Sequence, residues 1–196
     1  MDKEKQTMDK RVLRRQVLSL RDALSPQERE RAKFLITERI CGHQWFYLSH
    51  SILGFVSYGS EIDTTDILQE AFWQGKKVYL PKVEASATGE SLMQFYRVQS
   101  LDELEEGYKG IREPKGDTEV FEYQPENATK VLMLMPGAVF DQMRNRIGYG
   151  KGFYDRYLAD KDALQLRTIA LGYQCQMVEE LPGEEWDIRP YQVICV

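Results

Sequence analysis

Along the N-terminal third, apolar residues recur at helical spacing. Val12, Leu13, Val17, Leu20 and Leu24 fall on one side, with Lys10, Arg11, Arg14 and Arg15 on the other. This predicts a first amphipathic helix whose basic face is, on pattern alone, a solvated one. A second helix opens at Ser25-Pro26-Gln27-Glu28. Ser25 can cap it, Pro26 suits its first position and Glu28 completes a capping box. Its expected inner residues are Phe34, Leu35 and Ile40, and its expected end is near Gly42.

The pattern then shifts to alternating strands and helices. Ser51 to Tyr58 reads as an apolar strand; Asp63-Thr64 caps a helix with Ile67, Leu68, Ala71 and Phe72 inward, ending at Gly75. Lys77 to Val83, closed by Pro81, is the next strand, so this unit predicts parallel pairing through a right-handed crossover. Leu92 to Val98 is a further strand, and Gly107 to Gly116 a loop. Val131 to Val139 is almost continuously apolar, the pattern of a strand buried on both faces. A helix from Tyr154 to Leu158 and strands at Thr168 to Tyr173 and Val193 to Val196 complete the series. The expected fold is α/β: one domain spanning residues 1–196, a mostly parallel sheet with helices on both faces, Rossmann-like.

Charge narrows the partners. A formal net charge of −5 argues against nucleic acid and anionic membranes, which call for a basic excess, yet leaves room for a small polyanion at a local basic cluster. No apolar run approaches the length of a membrane span, and the charged N-terminus has no apolar stretch of a signal peptide behind it. Cys41, Cys175 and Cys195 form neither a disulfide framework nor a zinc pattern, which fits reduced thiols and a cytoplasmic location. His43 and His50 lie far in sequence from the basic cluster and read as surface or structural groups; no Ser–His or Cys–His pair suggests nucleophilic catalysis.

That basic cluster is the segment from Arg146 to Asp155. Gly148, Gly150 and Gly152 alternate with Tyr149 and Lys151 just before a helix, and Arg146 and Arg156 flank them. Glycines let backbone N–H groups converge on an anion, and the cations supply neutralising charge. The spacing is neither that of a Walker A loop nor that of the dinucleotide fingerprint. Taken alone it serves a nucleotide or a sugar phosphate, or is simply a tight turn. Asp155, in the first turn of the helix, is either a dipole partner or a ligand for Mg²⁺ beside phosphates.

The run Pro136-Gly137, Phe140-Asp141 and Arg146-Ile147-Gly148-Tyr149-Gly150-Lys151-Gly152-Phe153-Tyr154-Asp155 resembles the signature of the 5-formyltetrahydrofolate cyclo-ligases, also called methenyltetrahydrofolate synthetases. Lys10-Arg11-Val12-Leu13-Arg14, the segment Ser57 to Thr64 around Glu61, Leu80-Pro81 and Glu113-Pro114 extend the resemblance over nearly the whole chain. It implies ATP- and Mg²⁺-dependent closure of 5-formyltetrahydrofolate to 5,10-methenyltetrahydrofolate, with release of ADP and phosphate. It further implies ATP contacts at Lys10, Arg11, Val12, Leu13 and Arg14, and at Arg146, Ile147, Gly148, Tyr149, Gly150, Lys151, Gly152, Phe153 and Tyr154. Folate contacts would be Val56, Glu61, Tyr149, Gly150, Lys151, Gly152, Phe153 and Pro190; the metal ligands would be Asp155 and Asp187. Lys151 and Arg146 would carry catalysis by stabilising phosphoryl transfer, in a chain expected to be a monomer.

The sequence departs from the family pattern at Trp186, where many bacterial members have His, at Tyr191, where many have Asp, and at Phe153, where Tyr is commoner. Two rival readings remain beside the cyclo-ligase: an idle protein that binds reduced folate or nucleotide, and a sugar-phosphate enzyme that needs no ATP.

Overall fold

The structure, a computed structural model, describes residues 9–85, 91–182 and 187–196, so the departure at Trp186 lies outside the described residues. Helix α1 (Lys10–Asp22) is capped by Asp9, whose carboxylate accepts the Arg11 N–H. It buries Leu13, Val17 and Arg21, while Val12 and Leu20 of the expected apolar stripe are exposed. Helix α2 (Pro26–Cys41) carries the predicted capping box: Ser25 accepts the Glu28 N–H, and the Glu28 carboxylate accepts the Ser25 N–H. Its inner row is Ala32, Ile36 and Ile40, at four-residue spacing. Phe34, half a turn away from Ile36, is 63% exposed, which corrects its expected inward placement.

A short helix, α3 (Gln44–Leu48), leads into β1 (Ser51–Leu53). The strand expected to reach Tyr58 stops at Leu53, and the chain from 54 to 64 forms a loop pinned by its own hydroxyls. Thr64 Oγ1 donates to the Phe55 carbonyl at 2.6 Å, and Ser57 Oγ donates to the Ile62 carbonyl at 2.6 Å. Helix α4 (Thr65–Trp73) then returns the chain to β2 (Lys77–Ala85), which runs through Pro81. Tyr79 turns its carbonyl to Gly54 at the end of β1, so Pro81, two residues on, faces the side where β1 has ended. Its missing N–H costs the sheet no bond.

The remaining strands are β3 (Ser91–Val98), the small hairpin β4 (Glu105–Glu106) and β5 (Arg112–Glu113), β6 (Val131–Met135), β7 (Val139–Asp141), β8 (Arg146–Ile147), β9 (Thr168–Gly172), β10 (Met177–Val178) and β11 (Gln192–Cys195). Helices α5 (Phe153–Leu158) and α6 (Asp162–Gln165) lie between β8 and β9. The main sheet has the order β11-β9-β6-β1-β2-β3, parallel throughout except for the antiparallel edge strand β3. The apolar run from Val131 to Val139 is divided at Pro136-Gly137: β6 stays in this sheet, whereas β7 joins a second one of order β10-β7-β8.

Helices cover both faces of the main sheet. On one, Ile36, Ile40, Phe46, Ile67 and Leu68 pack on Ile52, Leu132, Leu134 and Ile169. On the other, Tyr157, Leu158 and Leu164 pack on Leu53, Met133, Met135 and Ala170. Leu13 and Val17 of α1 seal the smaller sheet against Ala138, Val139 and Ile147. Among the described residues, no helix is long and apolar enough to cross a membrane.

The corrected register of α2 is testable. Ile36→Ala, at a fully buried position, is expected to destabilise the protein by about 2–5 kcal/mol. Phe34→Ala is expected to stay within about 0.5 kcal/mol. Urea denaturation of the two variants measures both.

Candidate active site

Strands β1 and β6 lie side by side, but their connections depart to opposite sides: β1 leads through α4 to β2, and β6 leads through α5 and α6 to β9. The loops at their carboxyl ends therefore part, and a crevice opens there, the usual ligand position in an open α/β sheet. The cavity holds about 370 Å³, within the range of small-molecule sites. Phe55, Val56, Tyr58 and Glu61 line it from the β1 side, and Pro136, Arg146, Gly148, Tyr149 and the stretch from Lys151 to Asp155 from the β6 side; Gly150, an expected contact, is outside the lining. The β4–β5 hairpin covers it with Tyr108, Lys109 and Arg112, and the Tyr108 ring meets Phe153 edge-on with centroids 6.1 Å apart.

The glycine loop is hemmed in by guanidinium groups. A Cβ added at Gly148 would stand 3.0 Å from Arg146 Nη1, one at Gly150 3.1 Å from Arg14 Nη1, and one at Gly152 3.2 Å from Arg156 Nη1. Gly150 and Gly152 also take φ of 87° and 61°, which other residues rarely adopt. Glycine at these positions thus permits both the turn and the close approach of three cations. Helix α5 behind the loop has only six residues, so the positive field comes mainly from the arginines. Lys151 is exposed at the cavity wall, and its carbonyl accepts from Arg156 Nη1 at 2.6 Å.

Arg146 is buried and pairs with Asp155 at 3.0 Å, its guanidinium lying over the Tyr154 ring. Asp155 Oδ1 also accepts the Ile188 N–H at 3.2 Å, which brings the C-terminal segment to the site. Asp187 pairs with Lys10 at 2.7 Å, and Arg14 Nη1 donates to the Gly148 carbonyl at 3.4 Å. The first helix thus reaches both the C-terminal segment and the glycine loop through the two basic residues singled out in the sequence.

Other expected contacts sit differently. Arg11 and Val12 face solvent, Leu13 lies in the core against β7 and β8, and Pro190 is buried outside the lining of the cavity. Tyr58 and Tyr108 join the aromatic lining of the cavity, whereas Phe95 is core and Tyr96 donates its hydroxyl to Glu84. His43 caps α3 and reaches Gln192, a structural position.

Glu61 is held with its carboxylate accepting the Tyr58 N–H at 2.9 Å. Burial pushes its carboxyl above the ordinary range; the Tyr149 hydroxyl, the Tyr58 N–H and the Arg21 charge oppose that rise. Burial and the neighbouring Glu61 charge push the Tyr149 phenol upward in turn. Arg21 is the functional neighbour that pattern reading missed: it is 5% exposed and donates to Tyr149 Oη at 2.7 Å and to Ser60 Oγ at 2.9 Å. A signal existed, because Arg21 follows Lys10 and Arg14 by eleven and seven residues and shares their helix face.

Among the described residues, no group of three or more His, Cys, Asp and Glu stands together as a ready metal cage. Mg²⁺ does not require one, since it commonly takes one or two carboxylates and completes its shell with phosphate oxygens and water. Asp155 fits that chemistry: it borders the cavity, and its Oδ2 takes no part in the bonds to Arg146 and Ile188.

Comparison with known proteins places this arrangement. A 5-formyltetrahydrofolate cyclo-ligase from Escherichia coli K12 is 33% identical over 168 residues, covering 86% of this chain and 90% of the relative. One from Mus musculus is 29% identical over 188 residues, covering 94% and 92%. The solved 5,10-methenyltetrahydrofolate synthetase of Aquifex aeolicus superimposes with a TM-score of 0.75 at 32% identity, covering 93% of this chain and 87% of that one. The sequence profile of the 5-formyltetrahydrofolate cyclo-ligase family matches residues 6–196, and the chain belongs to that family.

Proposed function

We propose that this protein converts 5-formyltetrahydrofolate to 5,10-methenyltetrahydrofolate, using ATP and Mg²⁺ and releasing ADP and phosphate. The observation that carries the reading is the shared cavity: the Glu61 segment and the arginine-lined glycine loop form opposite walls of one crevice. A folate ring and a polyphosphate bound there would lie against each other, as a transfer between them requires.

A formamide carbon is a poor electrophile. Transfer of the γ-phosphoryl group to the formyl oxygen makes that oxygen a good leaving group. N10 then attacks the carbon, phosphate departs, and the N10 proton leaves with it. Phosphoryl transfer is mainly positioning and charge stabilisation, so it asks for cations and a fixed geometry rather than a protein nucleophile. In this reading Lys151, Arg146 and Arg14 face the phosphates and Lys10 supports the nucleotide from α1. Glu61 accepts hydrogen bonds from pterin N–H groups, and Val56, Tyr58, Tyr108 and Phe153 enclose the ring. Asp155 and Asp187 would hold Mg²⁺, which would supply charge neutralisation on the phosphates. Arg146 keeps the Asp155 carboxylate oriented at 3.0 Å.

Mixing the protein with Mg·ATP and 5-formyltetrahydrofolate is expected to give methenyltetrahydrofolate absorbance and an equal amount of ADP. Folate binding with neither product would instead identify an idle binding protein. Lys151→Ala is expected to lower kcat by roughly 100- to 1,000-fold at saturating substrates, with the fold intact by circular dichroism. Wild-type turnover in that variant would remove Lys151 from the mechanism.

Glu61 gives the binding step a pH dependence of definite sign. Its carboxyl titrates above the ordinary range because of burial, and pterin N–H donors favour the ionised form. Folate affinity is therefore expected to be full above that raised pKa and to fall as pH drops through it, with a proton released on binding within that window. Calorimetry in buffers of different ionisation enthalpy measures the proton. Glu61→Gln is expected to abolish the dependence and to weaken folate binding by roughly 10- to 100-fold, since a hydrogen bond to a charged group is worth about 1.5–3 kcal/mol.

A further inference from the structure

Arg21 is a buried cation with an unusual set of partners. Its Nε donates to Ser60 at 2.9 Å and its Nη1 to the Tyr149 hydroxyl at 2.7 Å, residues 39 and 128 positions away. Ser60 passes its own hydrogen to the Asp22 carboxylate. Among the described residues, no carboxylate lies within ion-pair distance of the Arg21 guanidinium, whereas Lys10 and Arg146 each hold one. A guanidinium stays charged in a protein, so its burial has to be offset by directed bonds. Here those bonds go to hydroxyls on two different loops.

The two loops are the opposing walls of the cavity. Ser60 precedes Glu61 in the β1 loop, and Tyr149 lies between Gly148 and Gly150 in the glycine loop. Arg21 also packs beside Phe55, Glu61 and Pro136, which line the cavity, around a gap too narrow for water. Its side chain therefore bridges the two loops, and its backbone is anchored in turn: the Arg21 carbonyl accepts from Arg29 Nη2 at 3.0 Å, which ties α1 to α2.

We infer that Arg21 is a positioning residue that fixes the folate wall and the nucleotide wall relative to each other, through Ser60 on one side and the Tyr149 hydroxyl on the other. The inference rests on the proposed cyclo-ligase reaction, in which the formyl oxygen and the γ-phosphorus must meet. Closure of those atoms tolerates little slack, and displacement of a wall by about 1 Å can cost on the order of 100-fold in rate. A hydrophobic residue of similar length would fill the space but would leave each loop to find its own position. Arg21 touches neither substrate in this account; it acts through Tyr149 and Ser60.

The test is a double-mutant cycle with both substrates varied. Arg21→Met keeps much of the stem and removes the donors, and Tyr149→Phe removes only the hydroxyl. Each is expected to lower kcat/KM for the folate by roughly tenfold or more and to raise the KM for ATP. The double variant is expected to be little worse than either single one, because both cut the same tie. Arg21→Lys is expected to recover part of the loss. Additive effects, or an Arg21→Met protein with wild-type KM values and only a lower Tm, would overturn the inference. If Arg21→Met does not fold, Ser60→Ala and Tyr149→Phe sever one arm each, and unchanged kinetics in both would overturn it equally. Failure of the wild-type protein to form methenyltetrahydrofolate would instead overturn the proposed reaction, so the two failures are distinguishable.

Discussion

Parallel strands joined through a helix cross over right-handedly, and β1 and β6, adjacent at the centre of the sheet, send their connections in opposite directions. Their helices fall on opposite faces as a consequence: α4 packs with the cluster around Ile52 and Leu132, and α5 and α6 with the one around Leu53 and Met133. Two loops that must leave in opposite directions cannot close over each other. The crevice between them is a product of chain handedness, and everything chemical in this molecule is arranged around it. The β1 loop contributes a carboxylate and apolar surface, and the β6 loop contributes glycines and cations. The antiparallel edge of the sheet, beyond β2, leads into the hairpin that covers both.

The charges around the crevice are bound in pairs before they are available to any ligand. Arg146 holds Asp155, and Lys10 holds Asp187. Each pair joins a group suited to phosphate with one suited to a metal. Such pairing limits the cost of keeping a partly buried cation and carboxylate near the cavity, because breaking one member away would leave the other desolvated. The pairs also fix neighbouring elements: Lys10–Asp187 joins α1 to a segment 177 residues away, and Arg146–Asp155 ties the two ends of the glycine loop together. Glu61 has a different arrangement: its partners are N–H and O–H groups, and burial raises its carboxyl accordingly.

Much of this was legible in the residues themselves. The capping box at Ser25 and Glu28 is a local device, so its reading from sequence needed nothing beyond neighbouring residues. The glycine loop was legible as a tight turn beside cations, because that much shows in spacing, whereas its ligand did not. Reading failed where a tertiary partner decided the outcome. Phe34 is apolar but points away from the sheet, since the row Ala32, Ile36 and Ile40 already fills the contact. The apolar run through Val139 was broken by Pro136-Gly137 into strands of two sheets, a division that hydrophobicity alone does not mark. Arg21 was the most consequential omission. A basic residue on an amphipathic helix is ordinarily solvated, and only the opposing hydroxyls of Ser60 and Tyr149 make its burial sensible.

The bond between Lys10 and Asp187 has a meaning for the order in which the molecule is made. Synthesis delivers α1 well before the Asp187 segment, which follows every strand of the main sheet except β11. The nascent chain can assemble β1, β2, β3 and β6 while Lys10 still lacks this counter-ion. Helix α1 can meet the smaller sheet through Leu13 and Val17 first, and its tie to the Asp187 segment forms only afterwards. Residues 177 positions apart thus meet late, and a product released before Asp187 would have most of the architecture without this junction.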